Sequence, residues 1–187
     1  MKRLIIIVCS IISIHIHGQN LINNGDFEEY VFCPRGYTKT SIKELLPFWL
    51  IPNKGTTDYF NECGVKESKI PSNYFGKLKS ASGKGYVGLH CGGMPNTKEY
   101  NKNYREYISM ELTQPLIKDS IYCVSFYYAI APNSQNTINE LGVYFSNEKV
   151  YVRTDKNLEF IPQVKNLSPL IKSGWGVFCQ EYKATIK

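Results

Sequence analysis

Between Tyr104 and Ile130 the chain reads YREYISMELTQPLIKDSIYCVSFYYAI, and this stretch constrains the fold more than any other. In its first half Ile108, Met110 and Leu112 alternate with Tyr107, Ser109 and Glu111. A period of two describes a half-buried strand with one wet face. Pro115, Lys118, Asp119 and Ser120 interrupt the alternation. In the second half Tyr122, Val124, Phe126, Tyr128 and Ile130 point one way, and Ile121, Cys123, Ser125, Tyr127 and Ala129 the other. This run is β-branched and aromatic on both faces, so it reads as a central strand covered on both sides. The two runs are expected to pair antiparallel, with Ile108, Met110, Leu112, Val124, Phe126 and Tyr128 in the core.

The flanking sequence has the same character. NLINNGDFEEY gives a short strand, an Asn-Gly turn and a second short strand at Phe27 to Val31. Further strands are expected at Tyr86 to Cys91, Leu141 to Ser146 and Trp175 to Ile186, the last alternating through Trp175, Val177 and Cys179. Thr40 to Leu46 has helical character ended by Pro47, and Trp49 reads as a core residue beneath a loop. Long turn-rich loops occupy Pro52 to Gly76, Gly92 to Asn103 and Ala131 to Asn139. Many short strands and little helix describe an all-β sandwich of two antiparallel sheets.

Lys2 and Arg3 precede an apolar run from Leu4 to Ile14, and the composition turns polar after Gly18. That is the pattern of a secretory signal peptide, shorter than the roughly 20 residues of a membrane span. Residues 1–18 are therefore expected to be a cleaved leader and 19–187 a single domain, exported to the cell surface, the periplasm or the medium. The mature part is not expected to span a membrane. Its Lys residues are scattered rather than clustered, so the net charge of +6 on the full chain does not draw a nucleic-acid footprint.

The mature part keeps Cys33, Cys63, Cys91, Cys123 and Cys179, an odd number that leaves at least one free thiol. An exported chain meets an oxidising compartment. Cys33 and Cys63 both lie in loop-like sequence and are the first candidates to pair. Cys123, inside the central strand, reads as a small buried apolar residue. CxxC pairs and His partners are lacking, which argues against zinc.

Catalytic patterns are weak. His90 is the one histidine beyond the leader, and its neighbour Cys91 points to the opposite face of a strand. A GxSxG elbow is absent, and SASGKG lacks the spacing of a phosphate-binding loop. Aromatic residues carry more signal: 14 Tyr, 9 Phe and 2 Trp. Tyr59, Phe60, Tyr74, Phe75, Tyr100 and Tyr104 lie in loops with Asn, Asp and Arg nearby. Sugar rings stack their CH faces on aromatics and need amide, carboxylate or guanidinium partners for their hydroxyls. Asp58, Tyr59, Phe60, His90, Tyr104, Arg105 and Asn133 are the candidate ligand-binding residues, with Arg105 suited to fork onto a hydroxyl or carboxylate. The alternative is that these rings close the ends of the sandwich.

The ordered set NLINNGDFEEY, LLPFW, GTTDYFNEC, GKGYVGLH, YREYISMELTQPLIKDSIYCVSFYYAIAPNS and LGVYFS resembles the galactose-binding-like β-sandwich domains of the carbohydrate-binding-module type, found in secreted and outer-membrane proteins of Bacteroidetes. The resemblance spans nearly the whole mature chain. It implies an exported jelly-roll sandwich; with the export signal and the aromatic-polar loops, the expected function is non-catalytic binding of a glycan or polysaccharide. The resemblance also implies a structural calcium near the first strand, for which Asp26 and Glu28, sharing a face, and Asn24 are the candidate ligands. Such domains are usually followed by another domain and carry a further strand after Thr185 and Ile186. A chain lacking that strand is expected to expose a sheet edge. This favours a rival reading, a structural module that packs on an envelope protein able to donate a strand.

Overall fold

The computed structural model describes residues 18–36, 41–92, 103–170 and 174–185. The leader expected at 1–18 lies outside them but for Gly18, as does Tyr100. The described chain is β-rich. Its one α-helix, α1 (Ile42–Leu45), is a single turn stopped just before Pro47, and a 3₁₀ turn covers Lys66–Ser68. Eight strands follow in chain order: β1 (Asp58–Asn61), β2 (Ser72–Asn73), β3 (Gly76–Lys77), β4 (Gly85–Gly88), β5 (Ile121–Tyr128), β6 (Gly142–Val143), β7 (Val164–Lys165) and β8 (Gly176–Lys183). They pair antiparallel as β1–β4, β2–β3, β5–β8 and β6–β7.

The long strand expected at 121–130 is present as β5, but its partner is β8, register Ile121↔Lys183 to Tyr128↔Gly176, and not the run at 104–112. That run follows an extended course with isolated bridges, Tyr104↔Lys156 and Leu50↔Ser109. Nor is β5 covered on both sides. Tyr122, Val124, Phe126 and Tyr128 turn inward, while Ile121, Cys123, Ser125 and Tyr127 are exposed. Cys123 is thus a surface thiol, not a buried one. In β8 the inward residues are Phe178 and Tyr182, and Val177 and Cys179 face out. Period-two alternation separates the faces without saying which is buried; the larger aromatic set took the core. Phe27 to Val31 forms no strand. The Asn-Gly turn is present, with Asn24 at φ 49°.

Two cores result. In the first, Ile42, Leu45 and Leu46 of the helical turn pack with Trp49 and Tyr59, joined by Phe27, Val87, Ile108 and Met110. In the second, the inner face of β5 and β8 packs on Val164, Leu116 and Ala184, with Leu112, Val143 and Phe145 alongside. Phe126–Phe178 and Phe145–Tyr182 stack with centroids 4.6 Å apart. The expected core set along 108–128 is therefore inside, divided between the two clusters. Leu21 serves the second core and Ile22 the first, and the Leu21 carbonyl accepts the Thr113 N–H. Cys33 and Cys63 are bonded as expected, tying the first loop to the segment after β1. No helix among the described residues is long and apolar enough to cross a membrane.

Candidate functional site

β1 sends its side chains to two sides of a layer it forms with β4. Tyr59 enters the first core and donates its hydroxyl to the Phe27 carbonyl (2.8 Å), while Asn61 Nδ2 donates to the same phenol (2.7 Å). Burial pushes the Tyr59 phenol up to about 12, partly offset by the Asn61 hydrogen bond. Phe60 turns the opposite way, into a row of rings. Its centroid lies 5.5 Å from Tyr86 and 5.8 Å from Phe75; Phe75 meets His90 at 5.4 Å, and His90 meets Tyr104 at 6.1 Å. Trp175 caps the other end against Tyr86 at 5.5 Å.

Phe75 reaches this row because it sits with Tyr74 at the tip of the β2–β3 hairpin. The two-residue loop is set by Asn73, whose Oδ1 accepts the Phe75 N–H (2.9 Å), and by Gly76 at φ +122°. A Cβ on Gly76 would also lie 2.8 Å from Pro132 Cβ. Asn133 docks on the tip, its N–H donating to the Phe75 carbonyl (3.0 Å). Phe60, His90, Tyr104 and Asn133 thus gather around one hairpin tip, but Asp58, Tyr59, Phe60 and Tyr104 are all buried. The Asp58 carboxylate and the rings of Tyr59, Phe60 and Tyr104 face protein and support the surface rather than form it. Tyr74 at the tip is exposed.

Next to the rings lies a polar knot that the sequence reading missed. Glu106 is 4 % exposed. Its Oε1 accepts the Tyr104 hydroxyl (2.6 Å), the Thr56 hydroxyl (2.9 Å) and the Thr56 N–H (3.1 Å); its Oε2 accepts the His90 N–H (2.7 Å). Burial first, then the hydrogen bond to Glu106, pushes the Tyr104 phenol up to about 12. Arg105 Nη1 donates to the Tyr104 carbonyl (2.7 Å), and the Arg105 carbonyl accepts Asn53 Nδ2 (2.7 Å). The signal for Glu106 was available: it shares the parity of Ile108, Met110 and Leu112, a carboxylate on an inward face.

The knot fixes the floor of an open cleft of about 450 Å³. Asn53 accepts the Gly55 N–H (3.1 Å), and both residues line the cleft. One wall carries Lys43 of α1, the other Lys149 and Tyr151. The segment after Tyr151 is laid along residues 52–54 by Val152 N–H to the Pro52 carbonyl (2.8 Å) and Lys54 N–H to the Thr154 carbonyl (2.7 Å). Tyr151 is 59 % exposed. The arrangement offers an aromatic face and two ammonium groups around one concavity, while the Asn53 amide is spent on the Arg105 carbonyl and the Gly55 N–H.

The calcium ligands expected near the first turn are engaged elsewhere. Asn24 Oδ1 accepts the Glu29 N–H (2.9 Å), and its carbonyl takes both Trp49 Nε1 (2.9 Å) and the Phe27 N–H (3.2 Å). Glu28 Oε1 caps the Lys84 and Gly85 N–H groups (2.6 and 3.0 Å), and Asp26 Oδ1 faces the Glu28 N–H at 3.4 Å. Each carboxylate thus commits one oxygen to the turn, Glu28 through Oε1 and Asp26 through Oδ1. Among the described residues no three His, Cys, Asp or Glu side chains come together as a metal cluster. Burial pushes the Cys91 thiol up, against the lowering pull of Arg105. No family model, curated protein or solved structure matches the chain.

Proposed function

We propose that this chain is an exported, non-catalytic binding module for a glycan or polysaccharide, with the galactose-binding-like jelly roll as its architecture. The cleft carries the reading: Tyr151 exposes a ring, and Lys43, Lys149 and Asn53 stand around it. The ring suits a sugar CH face, and the two ammonium groups favour a carboxylated or sulfated sugar over a neutral one. The Cys33–Cys63 bond agrees with a chain folded outside the cytosol. Calorimetric titration against neutral, uronic and sulfated glycans tests it. Saturable binding to an acidic glycan is expected, at least about tenfold weaker for Tyr151→Ala and salt-sensitive through Lys149. Absence of binding to every glycan, or binding indifferent to Tyr151→Ala, overturns it.

A second reading, a module that packs on an envelope protein, is favoured by one observation. Ile121, Tyr127 and Val177 are each more than half exposed on the outer face of β5 and β8.

A further inference from the structure

The outer face of the β5–β8 ribbon carries two thiols. In the register, Cys123 stands opposite Glu181 and Cys179 opposite Ser125, so the cysteines are diagonal neighbours on one face. Both are exposed, and their sulfurs lie 3.7 Å apart. We infer that Cys123 and Cys179 form a second cross-link, a reversible disulfide that clamps β5 to β8. A disulfide requires about 2.05 Å between sulfurs. Closing the remaining gap takes rotation of both side chains together with a local shift of the ribbon, because diagonal pairs lie farther apart than directly opposed ones.

The chemistry needs an oxidant, and a small disulfide such as oxidised glutathione, or a thiol–disulfide oxidoreductase, supplies it. The thiolate of one cysteine attacks a sulfur of the oxidant; a mixed disulfide forms and one thiol of the oxidant leaves with its electron pair and takes a proton. The second cysteine then attacks the sulfur of the first, and the second thiol departs. Two cysteine thiols lose two protons and two electrons, and one oxidant disulfide becomes two thiols. The hydrogen bond to Cys123, and the charge beside it, push the Cys179 thiol up, so attack proceeds faster at mildly alkaline pH. The strands are joined across 56 residues of sequence, including β6 and β7, so closing the bond removes a large loop from the unfolded ensemble. Among the described residues the remaining free cysteine is Cys91, half-buried, with its Sγ 3.7 Å from the Leu89 carbonyl. The five mature cysteines then sort as two bonds and one half-buried thiol.

The test uses the whole mature chain. The reduced protein is exposed to oxidised glutathione, quenched with acid, alkylated, digested and analysed by mass spectrometry. A peptide joining Cys123 to Cys179, lighter by two hydrogens, with Cys91 alkylated, is the expected result. The oxidised form should melt roughly 5–10 °C above one held open by alkylation at these two positions. In Cys123→Ser, Cys179 should retain its glutathione, which the wild type releases. Recovery of Cys123 and Cys179 as separate adducts in the wild type overturns the inference, as does linkage of either to Cys91 or to another copy of the chain. The wild-type mapping stands whether or not the variant folds.

Discussion

At the scale of single residues, Glu106 is where the most hydrogen bonding converges. Its carboxylate ties Thr56, His90 and Tyr104 together from three parts of the chain. Glu106→Ala leaves the Tyr104 phenol and the His90 N–H without their acceptor, Thr56 keeping only its contacts to the Tyr104 hydroxyl, and is expected to cost about 3–5 kcal/mol in urea unfolding. Glu106→Gln keeps one acceptor oxygen but turns an NH₂ toward donors, and should cost roughly 1–3 kcal/mol. A surface role for Glu106 would instead leave the urea midpoint unmoved. The sequence drew attention to Tyr104 and Arg105 because polar and aromatic residues crowd there. It did not show that Tyr104 faces a buried carboxylate, because which loop covers a residue depends on contacts fifty positions away. Tyr151 was passed over for the same reason: an exposed Tyr in a short polar stretch gains meaning only when Lys43 and Asn53 arrive beside it.

At the scale of elements, the strands were more legible than their partners. Alternation marked β5 and the body of β8, but sequence proximity pointed β5 to the run at 104–112, whereas its partner comes from more than fifty residues later. Non-local pairing leaves no local trace beyond turn chemistry, and the turn between 112 and 121 closes no hairpin here. The Cys33–Cys63 bond was readable because both cysteines sit in turn-rich sequence that lacks another anchor. It spans 30 residues, enclosing α1 and β1. Replacing the pair by Cys33→Ala with Cys63→Ala should destabilise the chain by about 3–4 kcal/mol from loop entropy. A denaturation midpoint unchanged from the wild type would show that Ser68 suffices to hold the loop. Its hydroxyl donates to the Pro34 and Val65 carbonyls and accepts the Gly36 N–H.

At the scale of the whole molecule, the all-β class followed from many short strands and punctuated loops, and the division into two cores did not. Two buried phenols, Tyr59 of the first core and Tyr104 at the end of the ring row, set an alkaline limit. Burial pushes Tyr59 and Tyr104 up to about 12 in the folded chain, against 10.0 for an unperturbed tyrosine. A raised folded value means that the native state favours the neutral phenol. The resulting stability is fully present below about pH 10 and is lost as pH rises toward 12. Stability measured by urea should therefore be level from neutral pH to about 10 and fall beyond it. Tyr59→Phe should flatten part of that fall, at a cost at neutral pH from the lost hydrogen bond to Phe27; an unaltered alkaline slope would show that other groups set the limit.

The two tryptophans turn this division into an optical property. Trp49 lies in the first core with its indole N–H on the Asn24 carbonyl. Trp175 stands at the head of β8, half-buried, with its N–H on the Lys79 carbonyl and its ring against Tyr86. Each indole therefore reads a different region, one the interior under the helical turn, the other the seam where the long ribbon meets the β1–β4 layer. Emission from Trp49→Phe and Trp175→Phe proteins, followed through the same denaturant series, separates melting of that seam from melting of the first core without any added dye.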